Sequence, residues 1–125
     1  MRPKSDTLTG QELEIMKMIW PLGRATVRDI YDRLRERRSI AYTTVQTMMN
    51  ILEAKGHLKK EPGEKAHVYM PVRPQQAVVR SMVREFVDRV FDGSARPLLL
   101  HLVKEKGLTD RERRALQKLL DTEDA

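Results

Sequence analysis

The first apolar residues of the chain recur at steps of three and four, the spacing of one face of an α-helix. They are Leu13, Met16, Ile19 and Trp20. Thr9 and Glu12 precede them at the spacing of a capping box, in which each side chain bonds to the backbone N–H of the other residue. We therefore predict a first helix behind Thr9. We expect Pro21 to Gly23 to end it, because the residue before a proline avoids helical geometry.

Two further amphipathic segments follow the first helix. Thr26 is the N-cap candidate of a short second helix, whose apolar residues recur over positions 27–34. Tyr42 to Lys55 is predicted as a third helix with one apolar face and one polar face, and Gly56 supplies the left-handed residue that ends it.

A hairpin is expected after the third helix. Leu58 to Glu61 and Ala66 to Val72 are predicted as strands, and the run Pro62-Gly63-Glu64 has the composition of a turn. His57 and His67 lie at its two sides. They are predicted to face solvent rather than to bind a metal, because two histidines without a thiolate or a nearby carboxylate make a poor site.

The pattern beyond Arg73-Pro74 is almost purely helical. One helix is predicted over Gln75 to Phe91, and a second begins near Ser94 and ends at Gly107. A third begins at a capping box of Thr109 and Glu112. We therefore expect a mainly α fold with a small β-hairpin, divided at the proline-marked linker into a domain over residues 1–72 and a helical domain over residues 73–125.

The helical C-terminal domain is rich in large apolar residues. Three helices in about 50 residues cannot close a substantial core of their own. We expect the same segment of a second chain to cover these residues in a two-fold homodimer, the alternative being that they fold back onto the N-terminal domain of a monomer. The predicted dimer residues are Val83, Phe86, Val87, Phe91, Leu99, Leu102, Leu116 and Leu120.

Charge indicates what kind of partner the chain binds. Its 125 residues carry 24 basic and 18 acidic side chains, a net charge of +6 that favours a polyanionic partner. Residues 1–72 hold 13 basic and 9 acidic side chains, so the excess leans towards the N-terminal domain. The absence of cysteine excludes disulfide scaffolds and thiolate sites. No segment resembles a membrane span or a signal peptide, so we expect a cytoplasmic protein without membrane insertion.

Catalytic chemistry is not indicated by the sequence. The three histidines, at 57, 67 and 101, have no recognised ligand spacing, no glycine cluster suits a phosphate, and no serine lies in a nucleophile elbow. We therefore expect neither an enzyme nor a bound cofactor or metal.

The third helix has a surface suited to reading double-stranded DNA. A helix of this length fits the major groove, and its exposed amides, hydroxyls and methyl groups can contact base edges. The predicted base-reading residues are Thr43, Thr44, Gln46, Thr47 and Asn50. Predicted phosphate-binding residues flank the helix: Thr26, Arg28, Tyr42, Lys59, Lys60, Lys65 and His67. For Tyr42, core, phosphate and base contacts all stay open, and a polar helix face can also be merely solvated.

The sequence of the third helix and hairpin resembles a known family. Residues 40–47, Leu52, Lys55-Gly56 and residues 66–69 are similar to the penicillinase repressors, the BlaI/MecI group of winged-helix transcriptional regulators. The resemblance spans roughly residues 7 to 121. It implies an N-terminal winged helix-turn-helix that binds a palindromic operator and a C-terminal dimerisation domain. The alternative is a winged-helix module that binds other proteins and has no DNA role.

The resemblance also implies a switch. In antibiotic-responsive members of the family, a membrane-bound sensor metalloprotease triggers cleavage in the helical tail, which weakens the dimer and releases DNA. The corresponding bond lies near His101-Leu102, where well-known members have Asn-Phe.

Overall fold

A computed structural model describes residues 7–105 and 107–123 of the chain. Six helices and one two-stranded antiparallel sheet make up this part, which confirms the predicted fold class. The chain divides into two compact units, the first ending at Met82 and the second beginning at Val83.

Three helices and the hairpin account for most of the first unit. Their bounds are α1 Gly10–Leu22, α2 Val27–Leu34, α3 Tyr42–Ala54, β1 Leu58–Glu61 and β2 Val68–Pro71. The first half of α4, Gln75–Val90, belongs to the same unit.

The starts of α1 and α2 follow the predicted capping chemistry. The Thr9 backbone N–H donates to Glu12 Oε1 over 2.9 Å, and the Glu12 N–H donates to Thr9 Oγ1 over 3.1 Å. Thr26 and Asp29 form the same reciprocal pair at the start of α2. Each pair satisfies two donors that a helix start would otherwise leave without partners.

Helix α1 ends within the predicted stretch Pro21 to Gly23, but the proline is not what stops it. Pro21 lies inside the helix, and the stop comes at Gly23, whose φ of 78° is favourable only for glycine. The Gly23 N–H still donates to the Ile19 carbonyl over 2.8 Å. A proline in the last turn thus costs one backbone donor without breaking the helix, and the left-handed glycine ends it.

One apolar core lies between the helices and the hairpin of the first unit. Its fully buried side chains come from α1, α2, α3 and β1: Ile15, Met16, Ile19, Ile30, Leu34, Val45, Met49, Leu52 and Leu58. Val78 on α4 joins the same cluster, and Met82 packs against it. Because these α4 residues belong to that core, the first unit extends past the predicted boundary at 72/73 and ends at Met82.

The hairpin has a longer connection than predicted. Leu58 pairs with Pro71 and Glu61 pairs with Val68, so residues 62–67 form a loop rather than a tight turn. Within it, a Cβ atom at Gly63 would collide with the carbonyl oxygen of Ala66. Only glycine fits this close approach of backbone to backbone.

The second unit comprises the rest of α4 with α5, Arg96–Glu105, and α6, Asp110–Glu123. Thr109 and Glu112 form the predicted capping box of α6, and these hydrogen bonds lower the pKa of Glu112. Among the side chains described in this unit, only Val87 is buried. The unit therefore leaves most of its apolar side chains at least partly exposed.

Candidate nucleic-acid interface

The α3 helix separates its side chains into a buried face and an exposed face. Its buried residues are Val45, Met48, Met49 and Leu52. All five predicted base-reading residues are exposed on the remaining surface: Thr43, Thr44, Gln46, Thr47 and Asn50. At 3.6 residues per turn, Thr43, Thr47 and Asn50 fall on one line directly opposite the buried face. The helix therefore presents hydroxyls, methyls and amides along its outermost edge.

An aromatic and cationic cluster lies at the start of α3. Tyr42 is 39% exposed, which excludes the core interpretation, and its ring meets Tyr31 edge to face with centroids 5.4 Å apart. The guanidinium carbons of Arg28 and Arg35 lie 5.8 and 5.4 Å from the centre of the Tyr31 ring. Two cations are thus held beside the N-terminal end of the polar helix.

Arg35 is a candidate phosphate ligand that the sequence reasoning did not single out. It lies in the basic run that ends α2, four residues after Tyr31, and this i,i+4 spacing was the available signal. Other members of the run have different partners, since Arg38 pairs with Glu14 at 2.9 Å and Arg37 with the same carboxylate at 3.9 Å.

Two of the predicted phosphate-binding residues on α2 already have roles in the fold. Thr26 Oγ1 accepts the Asp29 N–H over 3.1 Å, which leaves the hydroxyl proton free to donate. Arg28 Nε lies 3.3 Å from Asp32 Oδ1 in a pair that is exposed on both sides. An exposed pair of this kind is weak, so a phosphate can compete for the guanidinium.

The hairpin carries the other predicted phosphate ligands. Lys59, Lys60, Lys65 and His67 are all exposed. Lys60 Nζ lies 5.9 Å from the centre of the Tyr69 ring, whereas Lys59 Nζ lies 3.9 Å from Glu61 Oε1. Lys65 and His67 lie in the loop over residues 62–67.

A hydrogen bond joins the hairpin to the polar face of α3. The Tyr69 hydroxyl donates to Asn50 Oδ1 over 2.7 Å. Burial, with smaller contributions from Glu53 and Tyr42, raises the pKa of Tyr69 above its ordinary value, so the hydroxyl stays protonated as a donor. Sequence periodicity could not reveal this contact, because its partners are 19 positions apart on different elements.

The expectation for His57 is wrong, since the residue is buried at the end of α3. The His57 backbone N–H donates to the Leu52 carbonyl, and the His57 carbonyl accepts from the Val72 N–H. These hydrogen bonds hold His57 between α3 and the residue that follows β2. His67 is exposed, as predicted. Across residues 7–105 and 107–123, no three His, Cys, Asp or Glu side chains are grouped to hold a metal ion.

The predicted dimer residues vary in exposure within a single chain. Val83 and Phe86 are exposed, and Val87 is buried by its own chain. The remaining described ones are half-buried: Phe91, Leu99, Leu102 and Leu116. The side chain of Leu120 lies outside the described part of the chain. The predicted cleavage residues lie within helix α5, with His101 exposed and Leu102 half-buried.

Comparison with known proteins gives the family. The profile of the penicillinase repressor family matches residues 8–122. The chain belongs to this family. Among its relatives, the transcriptional regulator BlaI of Mycobacterium tuberculosis is 31% identical over 93% of this chain and 87% of its own length. The methicillin resistance regulatory protein MecI of Staphylococcus aureus is 22% identical over 97% of this chain and 98% of its own length.

Solved structures show the same fold. The solution structure of the DNA-binding domain of the repressor BlaI covers 60% of this chain with 90% of its own, at 27% identity and a TM-score of 0.52. MarR from E. coli, in a crystal with operator DNA, covers 92% of this chain with 74% of its own, at 16% identity and a TM-score of 0.53. This penicillinase repressor family member is therefore a winged-helix protein, and the family together with the BlaI DNA-binding domain supports a DNA-binding transcriptional repressor.

No helix in the described ranges, 7–105 and 107–123, is long and apolar enough to cross a membrane.

Proposed function

We propose that the chain is a transcriptional repressor that binds a palindromic DNA operator as a homodimer. The observation that carries this proposal is the polar face of α3, which projects five short polar side chains away from the core. Short side chains let a helix approach the floor of the major groove closely, and amides and hydroxyls can distinguish base pairs there.

Cations on both sides of α3 supply the binding energy that does not depend on sequence. Arg28 and Arg35 flank its N-terminal end beside Tyr31, and Lys60 and Lys65 extend from the hairpin. Contacts of this kind position a recognition helix on the duplex, while contacts to base edges select the sequence. In this proposal Gln46 and Thr47 select bases, and the arginines and lysines hold phosphates.

The dimer is proposed from the α4 surface of the second unit. Val83, Phe86 and Val90 lie at steps of three and four residues, so they form one apolar stripe on the helix. They are between 40% and 52% exposed, and the Phe86 ring is in edge-to-face contact with Phe91 at 5.8 Å. An exposed apolar stripe of this kind suits a self-complementary two-fold interface.

Relief of repression by cleavage fits the same arrangement. His101 and Leu102 lie in α5, in the same unit as the apolar stripe that the dimer is proposed to bury. A cut there would leave two short helical pieces with too little buried surface to hold two chains together. The proposed trigger of this cleavage is a membrane-bound sensor metalloprotease.

The salt dependence of duplex binding tests this function. Fluorescence anisotropy with the full-length chain should show an affinity for its operator that falls steeply with salt, because bound phosphates release counterions. The preference for operator over random duplex should persist as the salt rises. A chain that binds no duplex even at low salt would refute the proposal and favour a module that binds other proteins.

A further inference from the structure

Tyr69 is held by neighbouring backbone on both sides of β2. On one side of β2 it faces Lys60 in the register of the hairpin. On the other side its N–H donates to the Ala25 carbonyl over 2.8 Å and its carbonyl accepts the Ala25 N–H over 3.0 Å. The residue is only 3% exposed, so its ring has little freedom to move.

The hydroxyl of this fixed ring ends at an exposed residue of α3. It donates to Asn50 Oδ1 over 2.7 Å, although Asn50 lies on the outermost line of the helix with Thr43 and Thr47. A buried hydroxyl gains by keeping an acceptor for its proton, and the raised pKa of Tyr69 keeps that proton in place.

This hydrogen bond fixes which end of the Asn50 amide is oxygen and which is nitrogen. Rotating the amide by half a turn would place an N–H against the phenol oxygen and remove the acceptor of the phenolic proton. With the oxygen held by Tyr69, both N–H groups of the amide are available to another molecule. An unrestrained asparagine would instead sample several rotamers and both orientations.

We propose that Tyr69 is a positioning residue for DNA recognition, whose hydroxyl holds the Asn50 amide so that its NH₂ group donates to an acceptor on the duplex. The inference rests on the proposed function, because it requires the polar face of α3 to lie against DNA. Two kinds of atom offer the same acceptor chemistry: base-edge nitrogens and oxygens, and phosphate oxygens. A hairpin residue that never touches DNA thereby determines what the recognition helix can bind.

Four full-length proteins test the proposal as a double-mutant cycle: wild type, Tyr69→Phe, Asn50→Ala and the double variant. The probe is a duplex that the wild-type chain selects from a random pool, together with every single-base-pair variant of that duplex. Ser81→Ala is the control, since it removes a hydrogen-bonded hydroxyl from α4, to which no DNA contact is assigned. Thermal unfolding of each protein without DNA checks that it is folded at the temperature of the binding assay.

Tyr69→Phe is expected to weaken binding to the selected duplex by about 2- to 12-fold, the range for one hydrogen bond. Asn50→Ala should lose at least as much, and Tyr69→Phe should cause no further loss in the Asn50→Ala background. Ser81→Ala should bind as wild type. If the acceptor is a base, discrimination will fall at one base pair. If it is a phosphate, affinity will fall equally for all the duplexes.

Asn50→Asp gives a second test that preserves the fold, because it keeps an oxygen for Tyr69 and removes both N–H donors. It should bind at least as weakly as Asn50→Ala, and wild-type affinity would overturn the donor role. Unchanged binding by Tyr69→Phe, or an equal loss in the Asn50→Ala background, would overturn the positioning role while the proposed function stands. A wild-type chain that selects no duplex would overturn both.

Discussion

The proposed dimer makes a strong prediction about Val83. Its side chain is 52% exposed in the single chain and lies at the start of the apolar stripe on α4. Replacing it with aspartate should leave the fold of one chain nearly unchanged, because substitutions at exposed positions shift stability by no more than about 0.5 kcal/mol. In the dimer, the same change would place a carboxylate from each chain in an apolar interface.

The structure sets the minimum size of the effect. Complete burial of a valine side chain is worth about 2 kcal/mol, so burying its exposed half contributes about 1 kcal/mol per chain. A two-fold interface contains the residue twice, which gives about 2 kcal/mol. The dissociation constant of the dimer should therefore rise at least about 30-fold, and desolvation of the two carboxylates adds to this.

Sedimentation equilibrium over a range of protein concentrations measures the change. Val72→Asp is the matched control, because Val72 is also a valine that is 52% exposed, but it follows β2 in the first unit. The Val72 variant should dimerise like the wild type. If the Val83 variant does so as well, or if both variants lose the dimer equally, the assignment of the interface to the α4 stripe is refuted.

Four further substitutions probe base reading, phosphate binding, ion pairing and the hairpin loop. Gln46→Ala should change base preference and weaken operator binding by about 1 to 3 kcal/mol. Lys65→Ala should weaken binding to all duplexes alike and lower the slope of log affinity against log salt by about one. Equal losses on operator and random DNA for both variants would contradict this division between base and phosphate contacts. The Glu12 carboxylate pairs with Lys55 Nζ at 2.9 Å, and only 7% of the Glu12 side chain is exposed. Burial raises the pKa of Glu12, but its hydrogen bonds to Lys55 and Thr9 outweigh this, so the pKa is lowered overall. Glu12→Gln should therefore cost roughly 1 to 2 kcal/mol in urea unfolding at pH 7. The difference should shrink as the pH falls below 4.5, where the carboxylate of the unfolded chain takes up its proton, and it should vanish below the lowered pKa of Glu12 in the folded chain; a constant difference across pH would contradict it. Gly63→Ala should lower the unfolding midpoint, because its Cβ collides with backbone, and an unchanged midpoint would show that the loop relaxes freely.

Local sequence chemistry predicted most of the elements in this fold. Thr9, Thr26 and Thr109 begin their helices as capping boxes because the interactions involve residues three positions apart. The apolar face of α3 was likewise predictable from its period. The end of α1 was also predicted, although its cause is the positive φ of Gly23; Pro21 in the last turn removes one donor only.

What the sequence could not show depends on contacts between distant segments. Tyr69 interrupts the expected strand alternation, being buried beside Val68, because it pairs with Ala25 and bonds to Asn50. His57 is buried for a similar reason, through backbone bonds to α3 and to the residue after β2. Periodicity identifies the exposed face of a helix, but it does not reveal which exposed side chain another element holds.

Selection of bound duplexes from a random pool tests the proposed repressor most directly, using the full-length chain and counting the chains on each selected duplex. We expect a two-fold symmetric motif with half-sites about one helical turn or a multiple of it apart, occupied by two chains. Absence of any enriched sequence at low salt would contradict DNA recognition by α3. An enriched motif without symmetry, bound by one chain, would contradict the dimer.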